Sequence, residues 1–255
     1  MGIFISSPVF ASHPVSDKPK RSALADAFLN ASKTVMDKQG LNEENTVGAF
    51  AATEYGPSDI YSTNAQKLFS KGVRGLRAQV SAHSVLCEPS CITGIDLNIK
   101  AVNNTIIGGR VSGFHAFAAA SDALWAGMAD TMLVMGGDIS DDEAFAGALL
   151  MGGIHKDMTA DKVITRFAYD IDMLPTIEKE IFDELMASAD TDKRTYVITG
   201  RKTDISDEAL DIKVGSTGFF IGLQRAAELL SAEKMNVVYI DSDKSGAVGG
   251  IIVKA

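Results

Sequence analysis

Few side chains in this sequence have the chemistry of a nucleophile, a base or a metal ligand. Cys87 and Cys91 are the only cysteines, and His13, His83, His115 and His155 are the only histidines. Two thiols four residues apart fall on one side of a helical turn, despite Pro89 between them. A structural zinc site needs four ligands, and no second Cys or His pair follows. The thiols read as buried or idle, with a redox or nucleophilic role as the lesser alternative. His13, His83 and His155 are scattered without ligand spacing, so no metal and no cofactor are expected. Phe114, Phe117 and Trp125 have the spacing of helix core residues rather than of a pocket. Gly152-Gly153 fits a tight β connection and needs no phosphate.

The elements that would position these groups alternate between short β-rich runs and longer helical patterns, the signature of an α/β layered fold. A strand is expected over 3–6, and a helix over 22–38 opened by Ser22 and followed by Gly40. A strand over 46–53 precedes a helix over 58–71. A strand over 103–109 runs into a nearly all-apolar helix over 112–126, too apolar for a surface position and so expected between two sheets. Strands over 131–135 and 146–151 complete a first half. The shorter second half repeats the order, with strands over 196–199, 236–240 and 250–253 and a helix over 217–230. The acidic, amphipathic stretch 161–189 reads as helical. This strand and helix repetition points to an internal duplication. One compact domain is expected, with halves at about 1–154 and 195–255 and a helical connection over 155–194.

Composition excludes some functions. A formal charge of −9 on 255 residues argues against a nucleic-acid partner, which calls for clustered Lys and Arg. An acidic partner would have to dock on a local basic patch or on another subunit. No apolar run reaches the length of a membrane span. Residues 1–5 enter a strand directly with no basic start or cleavage site, so a cytoplasmic protein is expected. The chain is long enough to bury roughly 70–75% of its unfolded surface.

Residues 95–138 carry a resemblance. The run Ile95-Asp-Leu-Asn-Ile-Lys-Ala-Val-Asn103, the ungapped stretch 103–115, and Gly127-x-Ala129-Asp130-x-Met132 followed by Gly136-Gly137-Asp138 are similar to the strand and nucleophile elbow of β-ketoacyl synthases. Thr199-Gly200-Arg201-Lys202-Thr203-Asp204-Ile205-Ser206-Asp207 resembles that family's HGTGTPLND stretch. Val214-Gly215-Ser216-Thr217-Gly218 resembles its second histidine segment, and residues 242–253 its Gly-rich loop and last strand. The resemblance spans about two-thirds of the chain and leaves 155–194 unmatched. It implies a thiolase-like α-β-α-β-α layered fold from two duplicated halves, with the second half and the inter-half insertion shortened.

The same resemblance implies that the catalytic positions are lost. The nucleophilic cysteine falls on Arg110, the two histidines on Thr199 and Ser216, a lysine on Asp211 and an aromatic gatekeeper on Ser245. A ketosynthase needs a thiolate at a helix N-terminus to take the acyl chain, and two imidazoles to decarboxylate malonyl-thioester and hold its oxyanion. Arg has no lone pair to donate in a protein, and neither Thr nor Ser shuttles protons near neutral pH. By default Arg110 is structural, fixing a carboxylate or filling an emptied cavity.

Within that family the implied role is a non-catalytic subunit, similar to the chain-length factor (ketosynthase-β) of type II polyketide synthases. Such a subunit forms a heterodimer with an active ketosynthase and shapes the polyketide tunnel. Acyl carrier protein would be a further partner, reached through the ketosynthase. Two alternatives stand beside it: a malonyl-carrier decarboxylase supplying starter units, and a scaffold subunit in fatty-acid or aryl-polyene assembly. The resemblance places the dimer interface on Asn103, Asn104, Thr105, Ile106, Ile107, Gly108 and Gly109. Phe69, Leu76 and Leu86, in the helix-forming region 61–92, are the guesses for tunnel gating.

Overall fold

The computed structural model describes residues 2–41, 46–153, 157–210 and 215–255. His155, Asp211 and Val214 lie outside the described residues.

Two sets of elements follow one another. The first holds β1 (Ile3–Ile5), β2 (Val9–Pro14), α1 (Ala23–Gln39), β3 (Val47–Thr53), α2 (Ser58–Lys71), α3 (Ala78–Ser81), α4 (Glu88–Asp96), β4 (Asn103–Ile107), α5 (Ser112–Trp125), β5 (Thr131–Ser140) and β6 (Glu143–Gly152). The second holds β7 (Met158–Phe167), α6 (Leu174–Met186), β8 (Thr195–Thr199), β9 (Glu208–Ala209), α7 (Gly218–Ala232), β10 (Asn236–Ser242) and β11 (Ala247–Lys254).

The strand order is β4-β3-β5-β6-β1-β7-β11-β10-β8-β9, with β2 also paired to β6. β4, β3 and β5 run parallel and β6 returns antiparallel; β9, β8 and β10 run parallel and β11 returns antiparallel. The same order of directions therefore occurs twice. β1 joins the two sets, pairing Ile5 with Met151 on one side and Ile3 with Ala160 on the other.

Alternation along the central strands builds the layers, because successive side chains leave a strand on opposite faces. Leu133 and Met135 of β5 pack against Leu24, Phe28 and Val35 of α1. Met132 and Val134 pack the other way, onto Phe114 and Phe117 of α5. Val237 and Tyr239 of β10 join that inner cluster, while Val238 and Ile240 pack against Ile181 and Leu185 of α6. The result is the α-β-α-β-α stack expected from the sequence, with the apolar α5 and α7 in the middle. α1 is opened by Ser22, whose hydroxyl accepts the Leu24 N–H at 3.2 Å, and ends on left-handed Gly40.

Three expectations need correction. Met158–Phe167, expected as helix, is strand β7, hydrogen-bonded to β1 and β11. Its charges resemble a solvated helix face, but they are cross-element pairs: Lys162 with Glu184, Arg166 with Glu180 and Glu184, and Asp161 with Lys254. Only the remainder of that stretch is helical, as α6. Trp125 is 60% exposed, because it closes the last turn of α5 outside the layers, whereas Phe114 and Phe117 are fully buried. Cys87 and Cys91 are free and exposed rather than buried, since they sit on the outer side of the first turn of α4.

The middle layer fits because small residues admit the aromatic rings. Phe114 stacks 5.3 Å from Tyr239 and meets Phe219 edge-on at 4.8 Å, and a Cβ on Gly249 of β11 would enter the Phe114 ring. Gly249→Ala is therefore expected to lower stability by about 1–3 kcal/mol through overpacking. A denaturant midpoint that falls at constant m-value would show it; an unchanged midpoint would refute the tight fit.

Candidate functional site

The strand–turn–helix elbow begins where β4 ends at Ile107. Gly108 and Gly109 form the turn and Arg110 and Val111 lead into α5. A side chain at Gly109 would collide with the Asp243 carboxylate, which lies against the turn.

Arg110 spans the two sets of strands. Its Nε donates to Asp241 Oδ2 at 2.8 Å, and an Nη2 proton goes to the Gly200 carbonyl at 2.9 Å. Asp241 sits on the inner face of β10 at 2% exposure, while the Arg110 side chain is 27% exposed. The Ser242 N–H donates to Asp241 Oδ1 at 2.8 Å, and the Tyr239 hydroxyl lies 3.1 Å from both Asp241 Oδ2 and the Gly218 carbonyl. Gly200 needs its missing side chain, because a Cβ there would strike the Asp241 carboxylate. Burial pushes the Asp241 carboxyl above its ordinary range, and the Arg110 guanidinium only partly opposes it. The cost of a cation near the start of α5 is met by this carboxylate.

Thr199 and Ser216 are equally committed. Thr199, 2% exposed, has its hydroxyl 2.5 Å from the Arg201 carbonyl and 2.5 Å from Ser206 Oγ, which in turn lies 2.8 Å from Thr203 Oγ1. Ser216 is wholly buried; its hydroxyl donates to Asp138 Oδ2 at 2.5 Å, and its N–H reaches the same oxygen at 2.9 Å. Asp138, at the end of β5, also accepts the Thr53 hydroxyl at 2.7 Å and the Glu54 and Tyr55 N–H groups at 2.8 and 3.1 Å. The structure thus brings the three positions together around two buried carboxylates. Arg110 bonds the residue after Thr199, and Tyr239 connects Asp241 to the carbonyl two residues past Ser216.

His115, one turn into α5, is half-buried and stacks 6.4 Å from the Phe167 ring. Burial pushes its imidazole below the usual range, with Asp243 opposing. Ser245 donates to Asp243 Oδ1 through its N–H and its hydroxyl. The structure describes no residue of the Asp211 segment.

Sequence reasoning missed Asp138 and Asp241 as anchors. The signal was available: each is an acid on the inner face of an otherwise apolar central strand, beyond Met132 and Val134 in one case and Val237 and Tyr239 in the other. His13 and His83, scattered in sequence, line one cavity in the fold.

Of the residues expected at an interface, Asn103, Asn104 and Ile107 are exposed, and Thr105, Ile106, Gly108 and Gly109 are half-buried. β4 is the terminal strand of the sheet, bonded to β3 on one side, and Ile107 is 43% exposed. Among the described residues, half of the exposed large apolar side chains fall from Tyr55 to Ile107. Phe69 on α2 is 90% exposed, Leu86 covers Gly56, and Leu76 is half-buried after a 3-10 turn.

A sequence profile described as "Beta-ketoacyl synthase, N-terminal domain" matches residues 9–170. The chain belongs to the β-ketoacyl synthase family. A search of curated proteins returned no significant match. Among solved structures, this β-ketoacyl synthase relative is similar to the ishigamide ketosynthase/chain length factor, at a TM-score of 0.79 and 17% identity over 93% of this chain and 82% of that one. It is also similar to AntDE:AntF, a type II polyketide synthase acyl-carrier protein in complex with its ketosynthase bound to the hexaketide, at 0.79 and 13% over all of both chains. The 3-oxoacyl-[acyl-carrier-protein] synthase III of Aquifex aeolicus VF5 matches at 0.64 and 12%, again over all of both chains. At these identities the likeness is one of fold, the thiolase fold of ketosynthases. Among the described residues no helix is long and apolar enough to cross a membrane.

The Arg110–Asp241 geometry sets an expectation for stability. Arg110→Ala leaves Asp241 buried and unpaired and should cost about 3–5 kcal/mol at neutral pH. Adding Asp241→Asn to that variant should recover most of the loss, and costs that simply add in denaturant melts would contradict the pairing. Because the folded-state pKa of Asp241 is raised, the stability it contributes is present below the ordinary carboxylate range and is lost as pH rises through the raised value. Asp241→Asn should flatten that part of the stability–pH curve.

Proposed function

We propose that this β-ketoacyl synthase relative is a non-catalytic subunit of the chain-length-factor kind, pairing with an active ketosynthase and shaping the tunnel that sets polyketide length. The observation that carries the reading is Arg110 at the head of α5, held by Asp241 and the Gly200 carbonyl. At the position of the resemblance's nucleophile stands a cation with no lone pair to give. Thr199 and Ser216, at the positions of its imidazoles, spend their hydroxyls on structural hydrogen bonds. Loss of a nucleophile alone costs on the order of a million-fold in rate, as in subtilisin. A malonyl-carrier decarboxylase would need the Arg110 guanidinium for the substrate carboxylate, and Asp241 already fills that place.

The surface supports a partner. Among the described residues β4 ends the sheet with one edge unpaired, an edge that invites a strand from a second subunit, and exposed Phe69, Val73, Leu86, Ile95 and Ile107 come from the segments around it. Between Ile60 and Cys87 the chain carries Lys67, Lys71, Arg74 and Arg77 and no carboxylate, against a formal charge of −9 overall. This basic stretch is where an acidic carrier protein would dock, once the ketosynthase is in place.

Co-expression with a ketosynthase encoded beside it, followed by size-exclusion chromatography with light scattering, tests the pairing. A one-to-one complex is expected, weakened at least about tenfold by Ile107→Asp, with a changed product profile when this subunit is omitted. A stable homodimer indifferent to the ketosynthase would overturn the reading.

A further inference from the structure

Away from the elbow, a second group of charged side chains gathers where β2 leads into α1. Lys18, Lys20 and Arg21 of this connection, with His13, His83 and Asp59, wall a cavity of about 630 Å3. It lies past the carboxyl end of β3, where α2 begins, the end of a parallel sheet at which open α/β folds take ligands.

The acids of the cavity are already satisfied. Asp59 accepts the Ser22 hydroxyl at 2.8 Å and the Ala23 and Ile60 N–H groups at 2.8 and 2.9 Å. Asp26 takes Arg21 Nε at 2.8 Å and faces His13 Nε2 at 3.6 Å, and Arg21 also meets Asp96 at 3.4 Å. Lys18 and Lys20 are exposed, and among the described residues neither ammonium has an ion-pair partner. Two unneutralised cations beside two imidazoles are a local exception on an acidic chain.

His83 is held in place from behind. Its Nδ1 lies 3.0 Å from Glu88 Oε1, at the first residue of α4, and Glu88 is 3% exposed. Burial pushes the Glu88 carboxyl up to about 8. The Glu88 contact engages Nδ1 and leaves Nε2 as the ring nitrogen that a ligand in the cavity can meet.

We propose that this cavity binds a phosphate-bearing small molecule, with Lys18 and Lys20 meeting the phosphate charge and His83 Nε2–H donating to a phosphate oxygen. Lysine binds phosphate as a point charge without a fixed fork, which suits two ammonium groups on a short loop. The site is independent of the chain-length reading and shares no residue with the elbow.

Inorganic phosphate and pyrophosphate, titrated into the full chain in low-salt zwitterionic buffer near pH 7, test it through the imidazole proton resonances. A saturable shift of the His83 signal, assigned by its loss in His83→Gln, is expected. The affinity should drop about tenfold or more in Lys18→Ala/Lys20→Ala, whose exposed side chains can be removed with the thermal midpoint unchanged. Three results would overturn the proposal: an equal shift with chloride at matched ionic strength, unchanged binding in the double variant, or preference for malonate over phosphate.

Discussion

A carboxylate buried as deeply as Asp241 costs several kcal/mol unless a cation and hydrogen bonds meet it, and the middle of this fold is arranged around that requirement. Asp241 belongs to β10 of the second set of strands, and its cation, Arg110, belongs to the elbow of the first. The pair therefore fixes the two sets against each other at the layer where α5 and α7 lie. Gly200 gives up its side chain to the same carboxylate, and Tyr239 extends the network to the start of α7. At the head of α5 the two sets of strands thus meet in a hydrogen-bonded joint.

Asp138 does in the first set what Asp241 does in the second. Each ends the inner stripe of a central strand, and each gathers donors from a neighbouring loop. Asp138 collects five, two of them from Ser216. Carboxylates so satisfied hold the neighbouring loops in one conformation.

Much of this was legible in the sequence where local chemistry decides the outcome. Ser22 and Gly40 marked the ends of α1, and the apolar run after Ser112 placed α5 between sheets. Three strands escaped, one of them the two-residue β9 (Glu208–Ala209), too short to leave a pattern. β2 alternates half-buried with exposed residues and includes His13 and Pro14, so its pattern is faint. β7 carries Asp161, Lys162 and Arg166, whose partners lie on α6 and β11, out of reach of any local pattern. The site was legible as positions but not as interactions. Arg110 stood out by type, whereas Asp241 is 131 residues away and only folding reveals the pair. The convergence of His13 and His83 was hidden for the same reason.

The claim that this subunit carries no acyl chemistry is tested most directly by intact-protein mass spectrometry after incubation with an acyl-thioester substrate, in the presence of an active ketosynthase. The account predicts an acyl adduct on the ketosynthase and an unchanged mass for this chain. A stoichiometric acyl adduct on this chain would contradict it.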